Sequence, residues 1–318
     1  MSHVIVGAGA VGIGVGTALL AAGEPVVFVA RGARSRALRD HGCARTGLFG
    51  DASFPGSALA VTDTLDAVAQ APSSILLATK AFATEEVARS LAARPLLVRG
   101  DAPIVSLQNG LGNAEVLAAA LDSQRVFSAS ILIGFRRTAE SRVDVTVCAK
   151  PMQIGSLYRA DLSPVAALVR SLALGGIPTE TNDDIAGELW SKALYNCALN
   201  PLGAILRVPY GALGRSAETR SLMERVVREI FDVMHASGEH THWGDAERYL
   251  EHFYRDLLPP TAEHESSMLQ DVRAGRRTEI DALCGEIVRR GSAAGVDTPV
   301  NRALHQLIRA IEANGMAT

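Results

Sequence analysis

Six residues near the start of the chain, Gly7-Ala8-Gly9-Ala10-Val11-Gly12, constrain its fold more than any other feature. They follow the apolar run His3-Val4-Ile5-Val6 and open a helical pattern, a strand–turn–helix context in which each glycine has its own task. Gly7 permits the tight turn, Gly9 lets a pyrophosphate approach the backbone, and Gly12 allows close packing of helix on sheet. The start of the helix then presents unpaired N–H groups to an anion. A dinucleotide-binding βαβ unit is expected, with Gly7, Ala8, Gly9, Ala10, Val11 and Gly12 as cofactor-binding residues. A glycine-rich turn without a ligand is the bland alternative.

From Val4 to about Gly155, short β-branched runs alternate with helical patterns: HVIVG, PVVFVA, SILLATK, PIVSLQ, RVFSAS, VDVTVC and MQIG are the strand candidates. Such alternation indicates a mostly parallel sheet covered by helices on both faces. Asp161–Leu174 reads as a further helix starting at Ser163-Pro164, and residues 177–181 as a short strand or linker. Beyond Asp183 the periodicity is helical, with breaks expected at Pro201, at 208–214, at Pro259-Pro260, at Gly275 and at 295–299. A chain of 318 residues exceeds one ordinary core. The fold class expected is therefore α/β: a Rossmann-type doubly wound N-terminal domain over 1–182, then an all-α C-terminal domain over 183–318.

Cofactor choice is read at the end of the second strand, where NAD-selective sites carry an acidic residue about 20 residues past the glycines. Here VVFVA runs into Arg31, whose guanidinium can pair bidentately with a phosphate, so NADPH is the expected cofactor. A solvated Arg31 with loose cofactor choice is the alternative.

The apolar fraction of 48% with 20% charged residues fits a packed globular protein. A net charge of −3 supplies no positive field for nucleic acid. Cys43, Cys148, Cys197 and Cys284 are scattered without metal or redox spacing, which fits a reducing cytoplasm. The apolar stretch from Val4 to Ala22 has the length of a leader or a membrane span, but its five glycines and the lack of a preceding basic segment speak against both. No membrane partner, no metal and a cytoplasmic location are expected. His240, His242 and His252, near Glu239 and Asp245, are more simply a polar surface than a metal site.

The segment Glu188–Asn200, ELWSKALYNCALN, places Lys192, Asn196 and Asn200 at i, i+4 and i+8, one polar stripe on a helix that is otherwise apolar. A helix apolar on most sides is buried, and buried polar groups need partners. Two readings fit: the stripe faces a functional site, or Lys192 snorkels to solvent while the asparagines cross-link helices. Cys197, among apolar neighbours, reads as an inert buried thiol.

Taken together, the motifs GAGAVG at Gly7–Gly12, TKAFAT at Thr79–Thr84, LQNGLGN at Leu107–Asn113, LWSKALYNCALNPL at Leu189–Leu202 and SSMLQDVRAGRRTEID at Ser266–Asp281 resemble the ketopantoate reductases. The resemblance implies NADPH-dependent reduction of 2-dehydropantoate to pantoate, a step of pantothenate biosynthesis, with a small 2-oxo acid as substrate. It implies that Lys192 is the general acid, that Glu279 assists it, that Asn109, Asn196 and Asn200 bind substrate and that Ser267 receives its carboxylate. Asn109 and Lys80 would also line the cofactor. The chain departs from the family pattern between 129 and 155, where Cys148 and Lys150 stand in place of smaller or different residues.

Ser267 and Glu279 lie 12 residues apart, ~18 Å along one straight helix, so the helix must break if both are to meet one small substrate. Gly275 is the expected breaker, and Thr278 the cap of a restarted helix with Glu279 in its first turn. Two rival functions share these residues: a paralogous reductase of another 2-oxo acid or carbonyl compound, and a non-catalytic NADPH-binding sensor. The apolar face of the helical half permits a homodimer without requiring one.

Overall fold

The computed structural model describes residues 1–98 and 100–315. Arg99 and residues 316–318, which fall inside the two expected domain ranges, lie outside the described residues. The chain divides into two units, Met1–Gln108 with Asn113–Ile185, and Asn109–Gly112 with the residues from Ala186 onward.

In the first unit the strands are β1 (His3–Val6), β2 (Val26–Val29), β3 (Cys43–Gly47), β4 (Ala52–Phe54), β5 (Ala60–Thr62), β6 (Ser74–Leu77), β7 (Ile104–Ser106), β8 (Val126–Ser130), β9 (Ile133–Ala139), β10 (Arg142–Cys148), β11 (Met152–Gly155) and β12 (Thr179–Thr181). Eight of them form a sheet in the order β12-β11-β8-β7-β6-β1-β2-β5, parallel except where β11 runs against β8. Val4 of β1 pairs with Val27 on one side and Ile75 on the other, and all four β1 residues are buried. Strand order reverses at β1, so its carboxyl end is the switch point at which open α/β sheets bind ligands. The helices are α1 (Ala10–Ala21), α2 (Gly32–His41), α3 (Thr84–Ala92), α4 (Pro95–Val98), α5 (Asn113–Ala118) and α6 (Ser163–Leu174). Side chains of α1 and of the sheet form one apolar cluster, including Ile5, Ile13, Leu19, Phe28 and Phe127. A Cβ on Gly14 or Gly16 of α1 would collide with the ring of Phe135 or Phe28, so the glycine-rich stretch is a packing face.

The remaining strands form a second, four-stranded sheet in the order β4-β3-β10-β9, which the sequence reading did not anticipate. Cys43-Ala44-Arg45-Thr46-Gly47 has no apolar alternation, and its strand state rests on pairing with β4 and with β10, the latter almost 100 residues away.

The second unit contains α7 (Ile185–Leu206), α8 (Tyr210–Arg215), α9 (Ala217–Ser237), α10 (Ala246–His252), α11 (Ser267–Arg273), α12 (Cys284–Ala294) and α13 (Pro299–Gly315). Its core joins Leu194 and Leu199 of α7 to Val226, Val227 and Ile230 of α9, Ile287 of α12 and Ile308 of α13. The expected break at Pro201 does not occur: α7 runs through it. Proline removes the N–H that would bond the carbonyl four residues back, that of Cys197. The buried thiol of Cys284 donates to that same oxygen at 3.9 Å. The helix ends instead at Leu206, followed by Arg207 with a positive φ of 58°, and Tyr210–Arg215, read as part of a break, is itself a short helix. Among the described residues no helix is long and apolar enough to cross a membrane.

Candidate active site

In the first unit, Gly7 leaves β1 with φ of +103°, and a Cβ there would lie 2.7 Å from the Thr79 backbone nitrogen. Its own N–H donates to the Val29 carbonyl at 2.9 Å, which ties the turn to β2. A Cβ on Gly12 would collide with the Gly7 carbonyl oxygen, whereas one on Gly9 would meet only the Ala78 oxygen at 3.8 Å. The turn is closed beneath and open above Gly9. Gly9 caps α1 without a side-chain acceptor, so side chains leave its first amides available. Ala8 is buried, while Ala10 and Val11 are half-buried in the first turn. These residues fit a dinucleotide pyrophosphate at the N-terminus of α1.

Arg31 caps α2 and is exposed, 3.5 Å from Glu86. Lys80 is half-buried in extended conformation ahead of the single 3-10 turn Ala81–Ala83. That segment is held by a residue the sequence reading did not single out. Gln108, buried, accepts from Ser106 Oγ at 3.0 Å, and its Nε2 donates to Thr84 Oγ1 at 2.9 Å and to Thr79 Oγ1 at 3.2 Å. Its place inside LQNGLGN was the available signal.

In the second unit, Lys192 and Asn200 are buried on α7, 9% and 6% exposed, and Asn196 between them is half-buried. Among the described residues neither the Lys192 nor the Asn196 side chain has a hydrogen-bond partner. Asn200 has one: the buried Tyr210 hydroxyl donates to its Oδ1 at 2.5 Å. Burial pulls the Lys192 ammonium down from its ordinary range, and the Glu279 carboxylate pulls it partly back, leaving a pKa of about 8. A lysine so placed is a proton donor near neutral pH that can also be reprotonated.

Glu279 is buried, 8% exposed, but not in the first turn of an α-helix as expected. α11 ends at Arg273 and Gly275 takes a positive φ of 60°, so the expected break is there. Glu279 then precedes only the single 3-10 turn Ile280–Ala282, and α12 starts at Cys284. One such turn aligns too few peptide dipoles to act on a carboxylate as a long helix would. What fixes the turn is side-chain bonding: the Thr278 N–H donates to Glu312 at 2.7 Å, the Ile280 N–H to Thr278 Oγ1 at 3.2 Å, and His305 bonds Asp281 at 2.8 Å.

Asn109 is half-buried beside Gly110, whose φ of +90° and close approach to Ala282 exclude a side chain. The Leu111 N–H donates to the Ala282 carbonyl at 2.9 Å, so Asn109 is joined by a short link to the segment carrying Glu279. Ser267 is exposed at the first position of α11, and the preceding Ser266 is the buried cap that accepts from Leu269 at 3.0 Å. Of the histidines considered as metal ligands, His242 bonds Glu188 at 2.7 Å and His252 bonds Asp256 at 2.7 Å. Among the described residues no group of three or more metal-ligating side chains occurs.

Two family descriptions match the sequence, Ketopantoate reductase PanE/ApbA over residues 3–159 and Ketopantoate reductase PanE/ApbA C terminal over residues 184–312. The 2-dehydropantoate 2-reductase of Aquifex aeolicus is 33% identical over 313 residues, covering 98% of this chain and 97% of that one. That of Archaeoglobus fulgidus is also 33% identical over 313 residues, covering 97% of each. The crystal structure of a PanE/ApbA family ketopantoate reductase from Ralstonia eutropha shares the fold with a TM-score of 0.85 at 32% identity, covering 99% of both chains.

Proposed function

The chain belongs to the ketopantoate reductase family of NAD(P)-dependent oxidoreductases, and from that premise we propose that it reduces 2-dehydropantoate to pantoate with NADPH. The observation that carries this reading is Lys192, a buried amine without a hydrogen-bond partner among the described residues and with a pKa of about 8. A desolvated ammonium is stable only if something satisfies it, and a substrate carbonyl oxygen does so while being polarised.

The turn Gly7–Gly12 would hold the pyrophosphate on the first amides of α1, and Arg31 would pair with the 2′-phosphate. Lys80 would line the cofactor, as would Asn109. When bound, the reduced cofactor supplies the hydride for the ketone carbon. Lys192 hydrogen-bonds the ketone oxygen and gives it a proton as the C–O bond becomes an alcohol, and is then reprotonated from solvent. Glu279 keeps Lys192 charged at working pH. Asn109, Asn196 and Asn200 orient the substrate, and Ser267 receives its carboxylate.

NADPH oxidation followed with 2-dehydropantoate and, in parallel, with other branched 2-oxo acids tests the reading. The largest kcat/KM is expected with 2-dehydropantoate and NADPH, and no oxidation with any 2-oxo acid would leave only a cofactor-binding protein. Lys192→Ala is expected to lower kcat by about 10²–10⁴-fold with NADPH affinity retained. Near-wild-type turnover would remove Lys192 from its role.

A further inference from the structure

Asn200 can meet a substrate in two ways, because an amide offers an acceptor at one end and donors at the other. Its Oδ1 is engaged by the Tyr210 hydroxyl at 2.5 Å. That separation belongs to O–H···O bonds and is shorter than N–H···O bonds normally reach, so the phenol faces the amide oxygen. Nδ2 has no partner among the described residues. Burial raises the phenol's pKa far above the ordinary tyrosine value, so it keeps the proton that it donates.

The ring has little freedom. Tyr210 is 3% exposed at the start of α8, and its N–H donates to the His264 carbonyl at 3.1 Å. Tyr195 meets the ring edge-on at a centroid distance of 5.8 Å, and the His264 ring lies 5.2 Å away on a tilted plane. Tyr195 is itself held by donation to Thr261 Oγ1 at 2.7 Å.

Resting on the reductase reading, we propose that Tyr210 is a positioning residue that fixes Asn200 as a donor, so that this amide recognises an oxygen with no proton to give, the carboxylate or carbonyl of a 2-oxo acid. Without the phenol the amide can turn over, and half of its orientations present the wrong end to the substrate. Loss of such a bond weakens ground state and transition state alike, so KM carries the effect and kcat does not.

The test is a cycle of wild type, Tyr210→Phe, Asn200→Ala and the double variant, with KM and kcat for 2-dehydropantoate at saturating NADPH and thermal melts as a fold control. Tyr210→Phe is expected to raise KM about tenfold with kcat within about threefold of wild type. In the Asn200→Ala background the same change should alter KM by less than about twofold. An equal factor in both backgrounds would make Tyr210 a packing residue, and an unchanged KM in the wild-type background would also overturn its role. Asn200→Asp keeps the acceptor for Tyr210 but replaces the N–H by a second carboxylate oxygen, so its KM should exceed that of Asn200→Ala. A KM at or below the Asn200→Ala value overturns the donor assignment even if Tyr210→Phe does not fold. A wild-type chain that reduces no 2-oxo acid sinks the reductase reading and Tyr210's role with it, whereas an active wild type matched by Tyr210→Phe sinks only the latter.

Discussion

Lys192 is under two opposing influences, burial that disfavours its charge and the Glu279 carboxylate that favours it, with burial the larger. If Lys192 gives the proton, as proposed, its protonated form is the active one in the reduction direction. kcat/KM should therefore be level below about pH 8 and fall by about tenfold per unit above it, since the acid must be protonated and its lowered pKa sets where the fall begins. Glu279→Gln removes the influence that raises the pKa, so the basic limb should move to lower pH in a profile measured between about pH 6 and 10. A limb that stays in place would remove Glu279 from its supporting role. At this scale much was legible: spacing alone put Lys192, Asn196 and Asn200 on one stripe of an apolar helix. The setting of Glu279 was not, because it depends on Glu312, 34 residues from Thr278 along the chain. Tyr210 was invisible for a similar reason, since its bond to Asn200 spans the end of α7.

Among the elements, the β1–α1 unit was the most legible, because its glycines satisfy local demands that no distant residue alters. Gly12→Ala would drive a methyl group into the Gly7 carbonyl and force the turn open. The expected result is loss of NADPH binding, followed by fluorescence titration, with the far-ultraviolet dichroism of the folded chain retained. α7 shows the converse. Its sequence pointed to a stop at Pro201, yet the tertiary surroundings outweigh the lost backbone bond, which costs roughly 3 kcal/mol in an isolated helix. Packing of Leu199 and Leu202 in the core and the Cys284 thiol on the orphaned carbonyl offset it. The four-stranded sheet is not legible in the sequence because strands such as Ala52–Phe54 are too short to show a period.

At the level of the whole molecule, length and alternation announced an α/β half followed by a helical half, and the fold has that form. Each unit has its own apolar cores, one around α7 and α9 and two flanking the large sheet. Leu194→Ala, at a fully buried position of α7, should therefore cost about 2–5 kcal/mol in urea denaturation while leaving the dissociation constant for NADPH unchanged. A comparable loss of NADPH affinity would contradict this separation. What sequence alone could not supply is the path of the chain at Asn109–Gly112. These four residues belong with the second unit although β7 before them and α5 after them do not, and Leu111 is part of the helical core. No single scission can thus yield two whole parts. A fragment starting at Ala186 would lack one of its own buried leucines, so transplanting this helical half onto another nucleotide-binding scaffold requires grafting the short excursion along with it.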